Sequence, residues 1–285
     1  MRRPRRTWLF VPGADRKAHE GAARSGADVL IQELEDFTPP DLRPEARALA
    51  AFLYDRWRDA GALAAVRVNP LETCGREDLA AVMAGRPDIV LMSKVASAEQ
   101  VKALEQATGG AVDLVPNVET AAGLMRTFEI ATASRRVIAV LVASEDMVAD
   151  LGTNRSRGGE ELAYVRARFL VECRAAGVEA IDCPYTFSDV RGAQADAKRA
   201  KRLGYRAKSL VDPAHVDAIN RVLTPSAAEI RQAERLVTAF EKARASGSER
   251  ARVSGKLVEV PIYAAARRLL ESVARTSPAT KSKRR

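Results

Sequence analysis

Eight short apolar runs recur along the chain, separated by segments of helical character, and this alternation restricts the fold more than any other feature. The runs are TWLFVPG from Thr7, DVLIQELE from Asp28, AAVRVNP from Ala64, DIVLMSK from Asp88, VDLVPNVE from Val112, VIAVLVASED from Val137, VEAIDCP from Val178 and YRAKSLVDP from Tyr205. Each is rich in Val, Ile and Leu, as expected of parallel strands covered on both faces. Between them, Pro44–Arg58, Ala98–Gln106, Glu160–Ala176 and Asp189–Leu203 carry apolar residues near the period of a helix. Repeated eight times over about 220 residues, the pattern predicts an α/β fold, a (β/α)8 TIM barrel. An open doubly wound sheet is the alternative. Its usual sign is missing, because no G-x-G-x-x-G follows the first run and Gly13 stands alone after Pro12.

The barrel is expected over 1–222. A helical extension over 223–275 should pack on the barrel or on a neighbouring subunit: Thr224, Pro225 and Ser226 look like an N-cap cluster opening a long helix. A turn-rich SGSERARVSGKLVEVP and a final helix from Ile262 to about Ala274 follow, and 276–285 reads as a basic, disordered tail.

A net charge of +9 raises the question of a nucleic-acid partner, but the charge sits at the ends. Arg2, Arg3, Arg5 and Arg6 open the chain, Lys281, Lys283, Arg284 and Arg285 close it, and the body without those eight carries only +1. No aromatic residues interleave with basic ones, so solvated ends are the simpler reading. No apolar run reaches the roughly 20 residues of a membrane helix, and the Arg-rich start runs straight into a strand without a signal-peptide core. A cytoplasmic location is expected. Cys74, Cys173 and Cys183 have no metal-like spacing and read as reduced packing thiols. With only His19 and His215, a His-rich zinc site is excluded, and any metal should be a hard ion on oxygen ligands.

In a barrel of this type reactive groups sit at the C-terminal ends of strands. Polar residues at those ends are Glu33, Glu35 and Asp36; Arg67 and Asn69; Lys94; Asn117 and Glu119; Glu145 and Asp146; and Lys208 and Asp212. Any one of them alone reads as a helix cap or solvated loop residue. Gathered in one ring, so many acids around an arginine need a cation or an anionic ligand to relieve repulsion and desolvation. Glu119 and Asp146 are the favoured metal ligands, since each ends an apolar run and precedes a helix start; two carboxylates plus waters suit Mg²⁺. Arg67, inside the apolar AAVRVNP, suits bidentate binding of a substrate carboxylate.

At these residues the chain resembles the citrate lyase β-subunit-like family of the HpcH/HpaI aldolase group. The likeness runs through RRTWLFVPGADRKAHEGAARSGADVLIQELED, VRVNPLET, RPDIVLMSKVASAEQV, PNVETAAGL, SEDMVADLGT, IDCPYTFSD, TPSAAEI and SGKLVEVPIYAAARRLL. The resemblance implies a Mg²⁺-dependent carbon–carbon lyase acting on short 3-hydroxyacyl-CoA thioesters of the malyl-, citramalyl- or citryl-CoA type, releasing a keto acid and an acyl-CoA or running in reverse. It implies a homotrimer or hexamer. Carried over, Glu119 and Asp146 become metal ligands, Arg67 the carboxylate-binding arginine, and Glu35 and Asp36 a shell around the metal waters. Arg16 and Lys17 fall where the family approaches the CoA phosphates, and Glu259 of GKLVE becomes the base reaching into an adjacent subunit.

Departures from the pattern bear on the substrate. Glu259 stands where the family has Asp, Asp212 where a histidine is common, Ser93 precedes Lys94 in MSK, and Gln32 and Glu33 precede LED. Two other readings stay open: a CoA-independent class II aldolase on 4-hydroxy-2-keto acids, and a noncatalytic subunit of a citrate-lyase-like complex.

Overall fold

The computed structural model describes residues 5–276. The basic ends at 1–4 and 277–285, expected to be solvated, lie outside the described residues.

Eight parallel strands close into a barrel in sequence order, β1 (Thr7–Pro12), β2 (Val29–Glu33), β3 (Leu63–Val68), β4 (Ile89–Met92), β5 (Asp113–Val118), β6 (Ala139–Val142), β7 (Glu179–Asp182) and β8 (Ala207–Leu210). Closure comes from Thr7 pairing with Lys208 across β1 and β8. Alternation explains why the runs were almost continuously apolar. Trp8, Phe10, Ile31, Leu91, Val115 and Leu141 fill the barrel interior, whereas Leu9, Val11, Leu30 and Val66 point outward under the helices.

The helices match the expected segments and show what ends them. Arg43–Asp59 buries Leu49, Leu53, Tyr54 and Trp57. Val190–Leu203 begins at Asp189, whose side chain accepts from Gly192 N, and stops at Gly204 in the left-handed conformation that glycine tolerates. The segment expected from Glu160 starts as a 3-10 turn, Glu160–Leu162, and becomes α-helical over Ala163–Ala176.

Two expectations are corrected. Arg6, counted with the solvated basic start, grips Asp28 with Nε on Oδ2 and NH2 on Oδ1, both at 2.8 Å. Lys208, assigned to the rim, is mid-strand and points outward into the helix layer, fully buried. Alternation is the reason: Ala207 takes the inner face, so Lys208 must face the helices. There its Nζ lies 2.6 Å from both Asp182 Oδ2 and Asp196 Oδ2, while Arg166 holds the same two acids. Cys173 and Cys183 are buried free thiols.

The chain falls into two units, Arg5–Leu223 with the barrel and a second whose described residues are 224–276. Ser226 caps the helix Ala227–Ala245 through a capping box with Glu229. The stretch read as turns contains a hairpin, β9 (Ala251–Val253) and β10 (Lys256–Val258), joined at Ser254 and Gly255 with φ of 50° and 79°. The final helix, Val260–Thr276, begins slightly before the expected start, and Tyr263 stacks on Phe240 at 4.6 Å. No helix among the described residues is long and apolar enough to cross a membrane.

Candidate functional site

Alternation along β2, β3 and β5 carries four polar side chains, Glu33, Arg67, Asn117 and Glu119, onto the inner wall at the C-terminal end of the barrel. Gln32 and Leu34 face the other way; Gln32 bonds Tyr54 OH and the Ala46 carbonyl, and Leu34 joins the outer core. The extra polarity of IQELED therefore divides between a helix contact and the site.

Arg67 is the hub. Its Nε donates to Glu33 Oε1 at 2.9 Å, NH2 lies 3.1 Å from Glu35 Oε2 and 3.5 Å from Asp36 Oδ2, and NH1 lies 3.6 Å from Glu119 Oε1. The guanidinium also stands over Phe10 and Phe37, 4.9 and 6.0 Å from the ring centres, a stacking that weakly hydrated arginine favours. Glu33 does more than pair with it. Its Oε1 accepts from Glu35 N and its Oε2 from Phe37 N, each at 2.6 Å, so this fully buried carboxylate fixes the strand end that carries Glu35 and Asp36. Glu33 is thus a buried ion-pair partner of Arg67.

Lys94 reaches in from the end of β4, its Nζ 2.7 Å from Glu35 Oε1 and 4.0 Å from Asp36 Oδ1. It adopts φ of 55°, a left-handed conformation uncommon for a residue with a Cβ. Even so, the acids outnumber the cations: Glu33, Glu35, Asp36, Glu119 and Asp146 face Arg67 and Lys94. Glu119 feels the imbalance most. Burial pushes its carboxyl up to about 8, Arg67 opposes the rise, and Glu35, Asp146 and Asp36 add to it. Burial likewise raises Glu35 against the pull of Arg67 and Lys94.

The residues fit a divalent cation. Glu119 Oε1 accepts from Asn117 Nδ2, while Oε2 is buried with no protein partner, a costly state for a carboxylate unless a cation meets it. Asp146 lies close enough to raise Glu119 further, and it lines the same hollow. Among the described residues no group of three or more His, Cys, Asp or Glu side chains forms a ready-made metal cage. Two carboxylates are nonetheless a sufficient protein contribution for Mg²⁺, which keeps several waters.

The hollow measures about 480 Å³ including its open mouth, with Phe10, Phe37, Arg67, Asn117, Ser144 and Asp146 on its walls. Pro184, Thr186 and Val211 complete it from the loops after β7 and β8. Another hollow of about 520 Å³ lies between the helices Arg16–Arg24 and Arg43–Asp59, but its lining of Leu49, Phe52, Trp57 and neighbours includes one acid, Glu20, and gathers no carboxylate cluster.

The remaining expected residues scatter. Asn69 is structural, its Nδ2 bonding the Leu34 carbonyl and Asp78 Oδ2. Asp212 caps the turn Pro213–His215 by accepting from Ala214 N. Glu145 pairs with Arg155 and accepts from Thr186 Oγ1 at the edge of the hollow. Arg16 and Lys17 are exposed at the start of their helix, with Arg16 3.9 Å from Glu45. Glu259 lies in the second unit, half-exposed and 3.4 Å from Arg250, where its carbonyl accepts from Ile262 N and Tyr263 N. Sequence reasoning missed Phe10, Phe37 and Ser144. Of these only Ser144 left a usable signal, as the residue preceding Glu145 and Asp146 at a helix start.

Known proteins resemble this chain over nearly its full length. The HpcH/HpaI aldolase/citrate lyase family model matches residues 6–213. The citrate lyase subunit beta of Escherichia coli strain K12 is 33% identical over 282 residues, covering 94% of this chain and 93% of that protein. A (3S)-malyl-CoA thioesterase of Cereibacter sphaeroides strain ATCC 17025 is 34% identical over 265 residues, 90% of each chain. The structure of CitE from Mycobacterium tuberculosis in complex with magnesium, acetoacetate and coenzyme A superposes with a TM-score of 0.79 at 26% identity, over 96% of this chain and 100% of that one. An eight-stranded barrel with an acid-ringed arginine at its C-terminal mouth, matched along its length in this way, makes the chain a lyase of the HpcH/HpaI aldolase/citrate lyase family.

Proposed function

We propose that this chain is a Mg²⁺-dependent carbon–carbon lyase for short 3-hydroxyacyl-CoA thioesters of the malyl-, citramalyl- or citryl-CoA type, yielding a keto acid and an acyl-CoA or running the reverse condensation. The observation that carries the reading is the approach of Arg67 NH1, whose side chain lines the hollow, to within 3.6 Å of Oε1 of the buried Glu119. It sets a carboxylate-binding cation beside a carboxylate whose other oxygen has no partner. The relatives support the CoA thioester class, since one is a citrate lyase subunit, another acts on (3S)-malyl-CoA, and a third was solved with magnesium and coenzyme A.

Each residue has a role in that reaction. Arg67 uses Nε and NH2 to hold Glu33, Glu35 and Asp36, which leaves NH1, beyond hydrogen-bond distance of Glu119, to bind the substrate carboxylate. Glu119 and Asp146 would hold Mg²⁺, with Glu35 and Asp36 accepting from its waters. When bound, the ion supplies Lewis-acid polarisation of the substrate oxygens. Phe10, Phe37, Leu141 and Pro184 keep bulk water from the reacting carbons. Glu259, from an adjacent copy in a homotrimer or hexamer, would take the proton from the thioester α-carbon during condensation and return it on cleavage. Arg16 and Lys17 would meet the CoA phosphates. The setting is the cytoplasm.

The test is direct. Purified protein is incubated with malyl-, citramalyl- and citryl-CoA, with Mg²⁺ or with EDTA, and the products are separated as keto acid, acyl-CoA and free CoA. Cleavage with Mg²⁺ that EDTA abolishes is the expected result. No turnover of any of the three in either direction, together with turnover of free 4-hydroxy-2-keto acids, would overturn the CoA assignment.

A further inference from the structure

Asn117 stands two residues before Glu119 on β5, so both project onto the inner wall, and it is 1% exposed. Packing alone does not call for an amide there. Two of its inner-wall neighbours are apolar, Val115 on the same strand and Leu141 paired with Asn117 across β6. Yet this amide bonds only through Nδ2, to Glu119 Oε1, and its Oδ1 is buried without a protein partner. Its orientation is the one an ionised, cation-binding Glu119 requires: a carboxylate only accepts, so the NH2 group faces it and the carbonyl turns away.

The contact makes the two Glu119 oxygens unequal. Oε1 receives Asn117 Nδ2 and lies 3.6 Å from Arg67 NH1, whereas Oε2 meets no protein donor. A terminal carboxyl torsion is otherwise broad and nearly two-fold, and either oxygen could then turn outward. We infer that Asn117 is a positioning residue for Glu119, holding the carboxylate by Oε1 so that Oε2 is the oxygen presented to a divalent cation. The inference rests on the metal-site reading above and adds to it a residue outside the ligand set.

Positioning and plain structural support predict different readouts. The full-length protein is titrated with Mn²⁺ alone, free Mn²⁺ being followed by electron paramagnetic resonance, for wild type, Asn117→Leu and Glu119→Gln. Melting of the metal-free proteins is recorded in parallel. Asn117→Leu is expected to weaken Mn²⁺ binding about 10- to 100-fold, the usual effect of removing a group that orients a ligand, with the metal-free Tm unchanged or higher. Asn117→Val, whose β-branched side chain suits a strand, is measured too and carries the test if the leucine variant does not fold. Unchanged Mn²⁺ affinity in a folded variant overturns the inference and leaves the metal site standing. A metal-free Tm lowered by more than about 5 °C in both apolar variants makes the amide a stabilising group and also overturns it. Wild type that binds no Mn²⁺ overturns the metal-site reading and this inference with it.

Discussion

Glu33 and Arg67 are locked together inside the barrel: Arg67 Nε donates to Glu33 Oε1 at 2.9 Å, while the same carboxylate accepts from Glu35 N and Phe37 N. Three donors converge on one fully buried acid, so the pair and the strand end stand or fall together. Replacing Glu33 with alanine leaves a buried guanidinium short of its nearest partner and two backbone N–H groups bare. Such a loss costs about 3–5 kcal/mol, read as a fall in the urea midpoint. Glu33→Gln keeps the shape but offers a single acceptor oxygen, and should fall between wild type and Glu33→Ala.

Arg67→Lys tests the substrate side of the same hub. A lysine ammonium keeps one charge but cannot span Glu33, Glu35, Asp36 and a substrate carboxylate at once. The hydrogen bond to a charged group that is lost is worth about 1.5–3 kcal/mol, so kcat/KM should drop roughly 10- to 100-fold, chiefly through KM for the keto acid in condensation. Steady-state kinetics with the keto acid varied at saturating acyl-CoA checks this. An unchanged KM would place the substrate carboxylate elsewhere.

How much of this was legible in the sequence depends on whether a feature is local. The barrel could be read because both faces of each strand are covered, which writes continuous apolar runs such as VLI and IVLM. Arg67 and the acids around LED stood out as charges beside apolar runs. Lys208 was misplaced by counting from the end of its run instead of by alternation. The hairpin at Ser254 and Gly255 escaped because strands of three residues carry too little periodicity to register. Phe37 and Pro184 meet only through closure of the barrel, and nothing in their local sequence announces the meeting.

Lys208, once placed, makes a sharp stability prediction. With Arg166 it balances Asp182 and Asp196 in a buried quartet, and its Nζ also donates to the Cys183 carbonyl at 2.5 Å, next to Pro184 on the wall of the hollow. Lys208→Met should cost about 3–5 kcal/mol by leaving one carboxylate unbalanced. Adding Asp196→Asn removes the surplus charge, so the double variant should be more stable than the sum of the singles by at least about 1 kcal/mol. Chemical denaturation of the four proteins of the cycle measures the coupling, and strict additivity would deny that the quartet acts as a unit.

The acid limb of stability should report on the loop that borders the hollow. Glu161 is nearly buried, and burial alone would raise its carboxyl; the hydroxyl and N–H of Ser156 and the guanidinium of Arg155 outweigh that and hold it down at about 2. Arg155 reaches on to Glu145, which accepts from Thr186 Oγ1 at the rim. A carboxyl depressed in the folded state stabilises it above the unfolded value and loses that contribution as pH falls from about 4.5 through 2. Glu161→Gln should therefore be less stable than wild type at pH 7, and the difference should shrink steadily as the pH drops from about 4.5 toward 2. Urea midpoints of both proteins measured between neutral and acid pH give the comparison. A gap that stays constant with pH would mean that Glu161 contributes through the shape of its hydrogen bonds and not through its charge.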